Sequence, residues 1–260
     1  MLYLYPVYET TSMSLKKHIP NTFTSLNLFS GCLGIVQVFD NNFTLAAIFM
    51  LIAVVCDFAD GMLARLLNAK SPLGLQLDSL ADVVSFGVLP GLIVMKLMSQ
   101  SVDIPQCHIA KTNLCQFLAL VIPVFSALRL AKFNIDTRQT DSFLGLPTPA
   151  NAIFFGSLPL IIQQSLNDDT YAGAAAFLSS WWVLAALTLI FSALLVSEIP
   201  LFSFKFKNLA WKSNQVRYIM VVASFLLIIF FRFVAIPLII VLYILLSLIT
   251  GKVKSSIPGE

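Results

Sequence analysis

The sequence predicts an all-α fold, a polytopic transmembrane helical bundle, and three observations carry that prediction. Of the 260 residues, 58% are hydrophobic and 11% charged, with 22 phenylalanines, and mean hydropathy is +0.88; this is not the composition of a soluble domain. About eight apolar stretches are present, most near the ~20 residues that a helix needs to span a bilayer. The basic residues also collect at alternate ends of those stretches.

In chain order the expected spans are Phe23–Val38, Phe43–Arg65, Leu77–Met98, Asn113–Leu130, Ala150–Ile162, Ala172–Val196, Tyr218–Phe231 and Phe233–Thr250. Two of them, Ala150–Ile162 and Tyr218–Phe231, are short, so the expected count is about eight within a range of six to eight. No fixed-period repeat, low-complexity tract or second domain is visible. The expectation is one integral membrane domain, 1–260, divided into four segments. These are a cytoplasmic or interfacial segment 1–22, site-bearing helices 23–165, further transmembrane helices 166–250 and a cytoplasmic tail 251–260. Met1–Lys17 carries its charge after its apolar residues and no small-residue cleavage site follows, so it does not read as a removable signal peptide. His18-Ile-Pro-Asn21 reads as a short interfacial segment.

Placing the N-terminus in the cytoplasm and threading eight crossings puts thirteen of the sixteen basic residues on or near that side. They are Lys16, Lys17, Arg65, Lys70, Arg129, Lys132, Arg138, Lys205, Lys207, Lys212, Arg217, Lys252 and Lys254. Only Lys96, Lys111 and Arg232 fall toward the other side, an asymmetry that sets the orientation. The expected location is a multi-pass position in an inner or plasma membrane, with the acidic turn described next facing the cytoplasm.

Against this apolar background, four carboxylates and an arginine stand out: Asp57-Phe-Ala-Asp60-Gly61-Met-Leu-Ala64-Arg65, then Gly74-Leu-Gln-Leu-Asp78-Ser-Leu-Ala-Asp82. Acids in or beside membrane helices are costly, so function is their default reading. Asp57 and Asp60 are three apart and Asp78 and Asp82 four apart, so each pair shares a helix face. Asn68–Gly74, with Pro72 as a helix stop, reads as a short turn joining two antiparallel helices. Four such acids repel one another unless cations lie between them. Hard divalent ions suit oxygen ligands, and the carboxylate number suits a two-metal cluster that clamps phosphoryl oxygens. Gly61 and Ala64 leave room for a bulky phosphate-bearing group beside the helix, or else permit close helix packing.

These residues match the signature D-x-x-D-G-x-x-A-R, eight residues, G-x-x-x-D-x-x-x-D at every fixed position. The sequence thereby resembles the CDP-alcohol phosphotransferases. The stretches Leu77–Pro90, Leu128–Asn134, Gly145–Ala150 and Ile19–Leu28 are similar to the phosphatidylserine-forming branch, and the likeness covers roughly Ile19 to Ala152. The resemblance implies that Asp57, Asp60, Asp78 and Asp82 bind two divalent cations, Mg2+ or Mn2+, and that Asp82 also serves as general base. It implies a CDP site of Asn21, Thr24, Asp57, Asp60, Gly61, Ala64, Arg65, Gly74 and Asp78. It further implies CDP-diacylglycerol as donor, L-serine as acceptor and membrane lipid as surroundings. No nucleic-acid partner is expected, and a homodimer through the later helices is compatible with the sequence. A different acceptor, glycerol 3-phosphate or an inositol phosphate, is the alternative within the family. An ion-coupled transporter is the rival from another class, since buried acids also mark ion routes.

Other polar residues carry two readings each. Arg129 and Lys132 anchor the cytoplasmic end of a span or hold a phosphate or carboxylate of the acceptor, with Asn134 close by. Ser85 lines the acceptor pocket or satisfies a helix backbone. Asn21 and Thr24 cap the first helix or touch the nucleotide. Cys32 and Cys56 read as small hydrophobes in spans. For Cys107, His108 and Cys115 a disulfide or metal site stands against incidental placement, which the absence of a recognised ligand spacing favours. Trp181 and Trp182 read as packing residues and Arg232 as part of a reversal; the tail after Ala172 offers no comparable polar constellation.

Overall fold

A computed structural model describes residues 15–69, 71–136, 143–201 and 211–255. It contains ten α-helices and two minimal two-stranded ribbons among those residues. Helix α1 spans Leu15–Phe39 and α2 Phe43–Leu66. Helix α3, Pro72–Asp82, continues through a π-helical turn, Val83–Val88, into α4, Leu89–Gln100. A short ribbon pairs β1, His108–Ile109, with β2, Thr112–Asn113. A 3₁₀ turn, Leu114–Leu120, leads into α5, Val121–Ile135. Then come β3 (Phe143–Leu144), α6 (Thr148–Ser165), α7 (Ala172–Leu178) and α8 (Trp181–Val196). Strand β4 (Pro200–Leu201) pairs with β3, and α9 (Trp211–Phe231) and α10 (Ala235–Ser255) complete the chain.

Five helical stretches are long and apolar enough to cross a membrane, and the α7–α8 pair makes six if counted as one bent span. One of the five, Asn214–Ile249, is 36 residues long, more than a single crossing requires. It breaks at Arg232, which adopts φ 49°, and α9 and α10 pack against each other, so Arg232 is indeed part of a reversal. Helix α6 falls short on apolarity because it carries Asn151, Gln163 and Gln164, yet 11 of its 18 residues are buried. It is the inner helix, packed by α2, α4 and α10, and needs no lipid-compatible surface. Helix α9 is its opposite, with Val221, Val222, Phe225, Ile228 and Ile229 exposed to the surroundings.

Several expectations need correction. The first helix begins at Leu15, not Phe23, so residues 18–21 belong to it and form no separate interfacial segment. Asn21 and Thr24 therefore lie inside the helix and cap nothing. Pro72 does not stop a helix; it opens α3 behind the cap Ser71, because a proline at the first helical position sacrifices no hydrogen bond. Ala172–Val196 is not one straight helix but bends by 67° between α7 and α8. Of the basic residues used for orientation, Lys70, Arg138, Lys205 and Lys207 lie outside the described residues.

The π-helical turn has a local cause. Pro90 has no amide hydrogen to donate within the ladder, and a wider turn immediately before it takes up the mismatch. That turn begins at the residue after Asp82. Ser85 within it donates to the carbonyl of Asn27 at 3.0 Å. A Cβ at Gly31 of α1 would lie 2.3 Å from Ser85 Oγ, so only glycine admits this approach.

Beyond the end of α4, Asp103 secures the start of α8. It accepts from Ser180 Oγ at 2.5 Å and from the Trp181 amide at 2.7 Å, the second a backbone donor that a helix start leaves open. The Ser180 hydrogen bond, then that of Trp181, holds its carboxyl below the usual carboxylate range. A lowered folded-state pKa contributes stability that is in place above the ordinary carboxylate pKa and lost as pH falls through the lowered one. Asp103→Asn should lower the melting temperature at neutral pH, and the gap from the unaltered protein should close in acid; melts across pH check this.

Candidate active site

The acids are assembled by three helices. Ser71 accepts the Gly74 amide at 3.0 Å and fixes the start of α3, with five residues between it and the end of α2. Helix α1 packs on both α2 and α3. Across this junction one carboxylate oxygen from each of Asp57, Asp60 and Asp78 lies within 4.8 Å of the others. Asp82, one turn further along α3, is buried.

Helix α1 supplies the donors. Thr24 Oγ1 donates to Asp60 Oδ2 at 2.6 Å, and Asn27 Nδ2 donates to Asp82 Oδ1 at 3.1 Å. Asn21 Oδ1 lies against Gly74, 3.0 Å from where a Cβ would stand. Asn21, Thr24 and Asn27 follow one another at intervals of three, so a single face of α1 runs along the acids. Asn27 is one residue that the sequence reading missed, although this spacing was its signal.

From the other side, α5 brings Arg129. It is 8% exposed, its Nη1 lies 3.4 Å from Thr148 Oγ1, and its guanidinium stands 5.2 Å above the Phe133 ring. It is within electrostatic reach of Asp82, Asp57 and Tyr243. Tyr243, on α10, is the one contribution of the tail among these named neighbours of Arg129; a lone tyrosine in an apolar run gave little warning. Lys132 turns elsewhere, to Glu198 at 3.4 Å and the Val196 carbonyl at 3.5 Å, where it completes the end of α8. Asn134 donates to Ser79 Oγ at 2.8 Å and ties α5 to α3. Ser85 donates to the α1 backbone at the Asn27 carbonyl. Arg65 is exposed and donates from Nε to the Gly61 carbonyl at 2.8 Å, while Gly61 and Ala64 are half-buried beside it.

The donor set fits divalent cations. It consists of hard carboxylate oxygens, and Asp78 Oδ1 is buried without a hydrogen-bond partner, a costly state for a carboxylate oxygen unless a cation or donor meets it. Trp181 is buried and donates from Nε1 to the Cys115 carbonyl at 3.3 Å, whereas Trp182 faces outward, 64% exposed.

Comparison with known proteins shows the family. Residues 17–194 match the CDP-alcohol phosphatidyltransferase family, and the chain belongs to that family. It is 34% identical over 154 residues to a Helicobacter pylori (strain J99) protein named CDP-diacylglycerol–serine O-phosphatidyltransferase, covering 58% of this chain and 59% of that one. A Bacillus subtilis protein of the same name is 35% identical over 150 residues, 58% of this chain and 77% of its own. An archaetidylserine synthase from Methanothermobacter thermautotrophicus is 34% identical over 144 residues, 55% and 58% of the two chains. The chain thus spans about three fifths of the length of the first of these relatives. The family and the apolar helices together make this a multi-pass membrane protein.

Proposed function

We propose that the protein transfers the phosphatidyl group of CDP-diacylglycerol to L-serine, yielding phosphatidylserine and CMP. The observation that carries this reading is the convergence of Asp57, Asp60 and Asp78 within 4.8 Å, with Asp82 one turn beyond. Serine is the part common to the names of the three relatives, while the lipid part differs.

In this reading Asp57, Asp60, Asp78 and Asp82 hold two divalent cations, Mg2+ or Mn2+, which when bound neutralise the pyrophosphate oxygens. The CDP group lies along Asn21, Thr24, Gly61, Ala64, Arg65 and Gly74, with Arg65 at the exposed end, where a soluble nucleotide can leave. Asp82, oriented by Asn27, takes the proton from the serine hydroxyl. The hydroxyl oxygen attacks the lipid-side phosphorus in line, the bond to the CMP oxygen breaks, and CMP departs. No covalent enzyme intermediate is invoked, since the carboxylates are occupied as ligands. Arg129 takes the serine carboxylate, a planar anion suited to a guanidinium. In the same reading the acids face the cytoplasm, which the distribution of the basic residues supports.

A phosphorylated acceptor such as glycerol 3-phosphate or an inositol phosphate would call for more positive charge. Among the described residues named for the acceptor, Arg129 alone faces the acids, while Lys132 is engaged with Glu198. The ion-coupled transporter is disfavoured by the gathering of the acids where α2 and α3 meet, with no repeat in the sequence to supply a second half. The test is CMP release by the purified chain with CDP-diacylglycerol and each acceptor in turn. Serine should exceed the phosphorylated alcohols; equal or better turnover with one of those would sink the serine assignment.

Asn27 offers a finer check. Asn27→Ala should reduce turnover by roughly 10–100-fold, as loss of an outer-shell partner does, with the KM for CDP-diacylglycerol little changed. Steady-state kinetics on both substrates measure it.

A further inference from the structure

The loop between α4 and α5 carries Cys107, His108 and Cys115, none of which the transfer reaction uses. It lies on the membrane face away from the acids. Gln100, at the end of α4, donates to Asn41 in the α1–α2 turn at 3.3 Å, and along α2 that turn is roughly 20 Å or more from Asp57.

The loop folds so that its two cysteines meet. His108 pairs with Asn113 and Ile109 with Thr112, and the Leu114 amide donates to the Cys107 carbonyl at 2.8 Å, extending the pairing by one residue. Asn113 Oδ1 then accepts the Cys115 amide at 3.0 Å and starts the 3₁₀ turn. The chain curls there instead of continuing as a strand, and the Cys115 and Cys107 side chains come into direct contact. Both sulfurs are free thiols, Cys107 exposed and Cys115 half-buried. A metal does not explain the pair: among the described residues the grouping of His, Cys, Asp and Glu side chains that converges on a metal-sized site is Asp57, Asp60 and Asp78.

We propose that Cys107 and Cys115 are a disulfide-forming pair, oxidised on the outward face of the membrane. The step is thiol–disulfide exchange with an external disulfide, small or protein-borne. One cysteine thiolate attacks it and releases one thiol; the second cysteine then attacks the mixed disulfide and releases the other, so two thiols become one disulfide as one disulfide becomes two thiols. The bond closes a nine-residue hairpin (107–115). That hairpin is already tied to α8 through Trp181 Nε1 and the Cys115 carbonyl, near the Asp103 contacts. The bond therefore fixes the hairpin where it meets the start of α8. Oxidising compartments retain such bonds, so the proposal rests on the orientation given above.

Trypsin supplies a direct test on the full chain. Cleavage after Lys96, Lys111 and Arg129 places Cys107 in Leu97–Lys111 and Cys115 in Thr112–Arg129. Protein taken from cells with an alkylating agent present should give these two peptides joined, and reduction should separate them. Cys107→Ser and Cys115→Ser should each abolish the joined species and leave turnover with CDP-diacylglycerol unchanged. Each should also melt lower than the oxidised protein by about 5 °C, the scale expected for a short closed loop. Both peptides recovered separately and alkylated, even after detergent-purified protein is incubated with oxidised glutathione, would overturn the pairing. Joined peptides after that incubation but never in protein from cells would overturn the proposal too, and would trace its failure to the orientation rather than to the hairpin or the transferase reading.

Discussion

Asp82→Asn should lower turnover by about 10²–10⁴-fold, the contribution of a positioned general base, while CDP-diacylglycerol binding survives in part. The amide has the shape of the carboxyl but cannot take the serine proton. One feature singles out this acid: buried and oriented by Asn27 from α1, it lies outside the three-acid grouping that draws within 4.8 Å. It also shares the surroundings of Arg129, the group expected to hold the acceptor's carboxylate. Single-turnover CMP release together with equilibrium binding of the CDP-lipid separates the two effects. Turnover equal to that of the unaltered protein would remove Asp82 from the role of base.

Asp57→Asn should weaken binding and turnover together. Loss of an outer-shell partner costs a metal site roughly 10–100-fold in affinity, and loss of a ligand from the innermost set should exceed that. The expected signature is activity recovered, in part, only at much higher Mn2+ than the unaltered protein needs. Chelation should likewise abolish CMP release and added Mg2+ or Mn2+ should restore it. Asp57 is the more telling ligand because it meets the electrostatic influence of both Asp78 and Arg129, so it joins the acid cluster to the acceptor side.

Much of this site was legible in the sequence because acids in lipid-compatible helices are rare and their spacing fixes their faces. Asp57 and Asp60 at three, and Asp78 and Asp82 at four, needed only helical geometry to be placed together. The helices themselves were legible from apolar runs, including the inner α6, whose lower apolarity follows from being wrapped by protein rather than lipid. What escaped notice depends on contacts between distant segments. Asn27 meets Asp82 across 55 positions of chain, and Tyr243 reaches Arg129 from α10. Lys132 and Asn134 stood beside Arg129 as acceptor candidates by proximity in sequence, but helical rotation sends them to Glu198 and Ser79 instead. The π-helical turn after Asp82 was announced only by Pro90, and the bend between α7 and α8 by nothing stronger than Ser179-Ser180. Cys107 and Cys115 show the same limit: their separation fits no familiar ligand spacing, and only the ribbon at 108–113 brings them side by side.

The account turns on divalent cations being held jointly by the acids of α2 and α3. Mn2+ binding to the purified full chain, counted by electron paramagnetic resonance in detergent, tests that directly. Two saturable sites are predicted, diminished in Asp57→Asn and Asp78→Asn but unaffected by Asp103→Asn on the far face. Absence of saturable binding, or binding indifferent to Asp57 and Asp78, would contradict it.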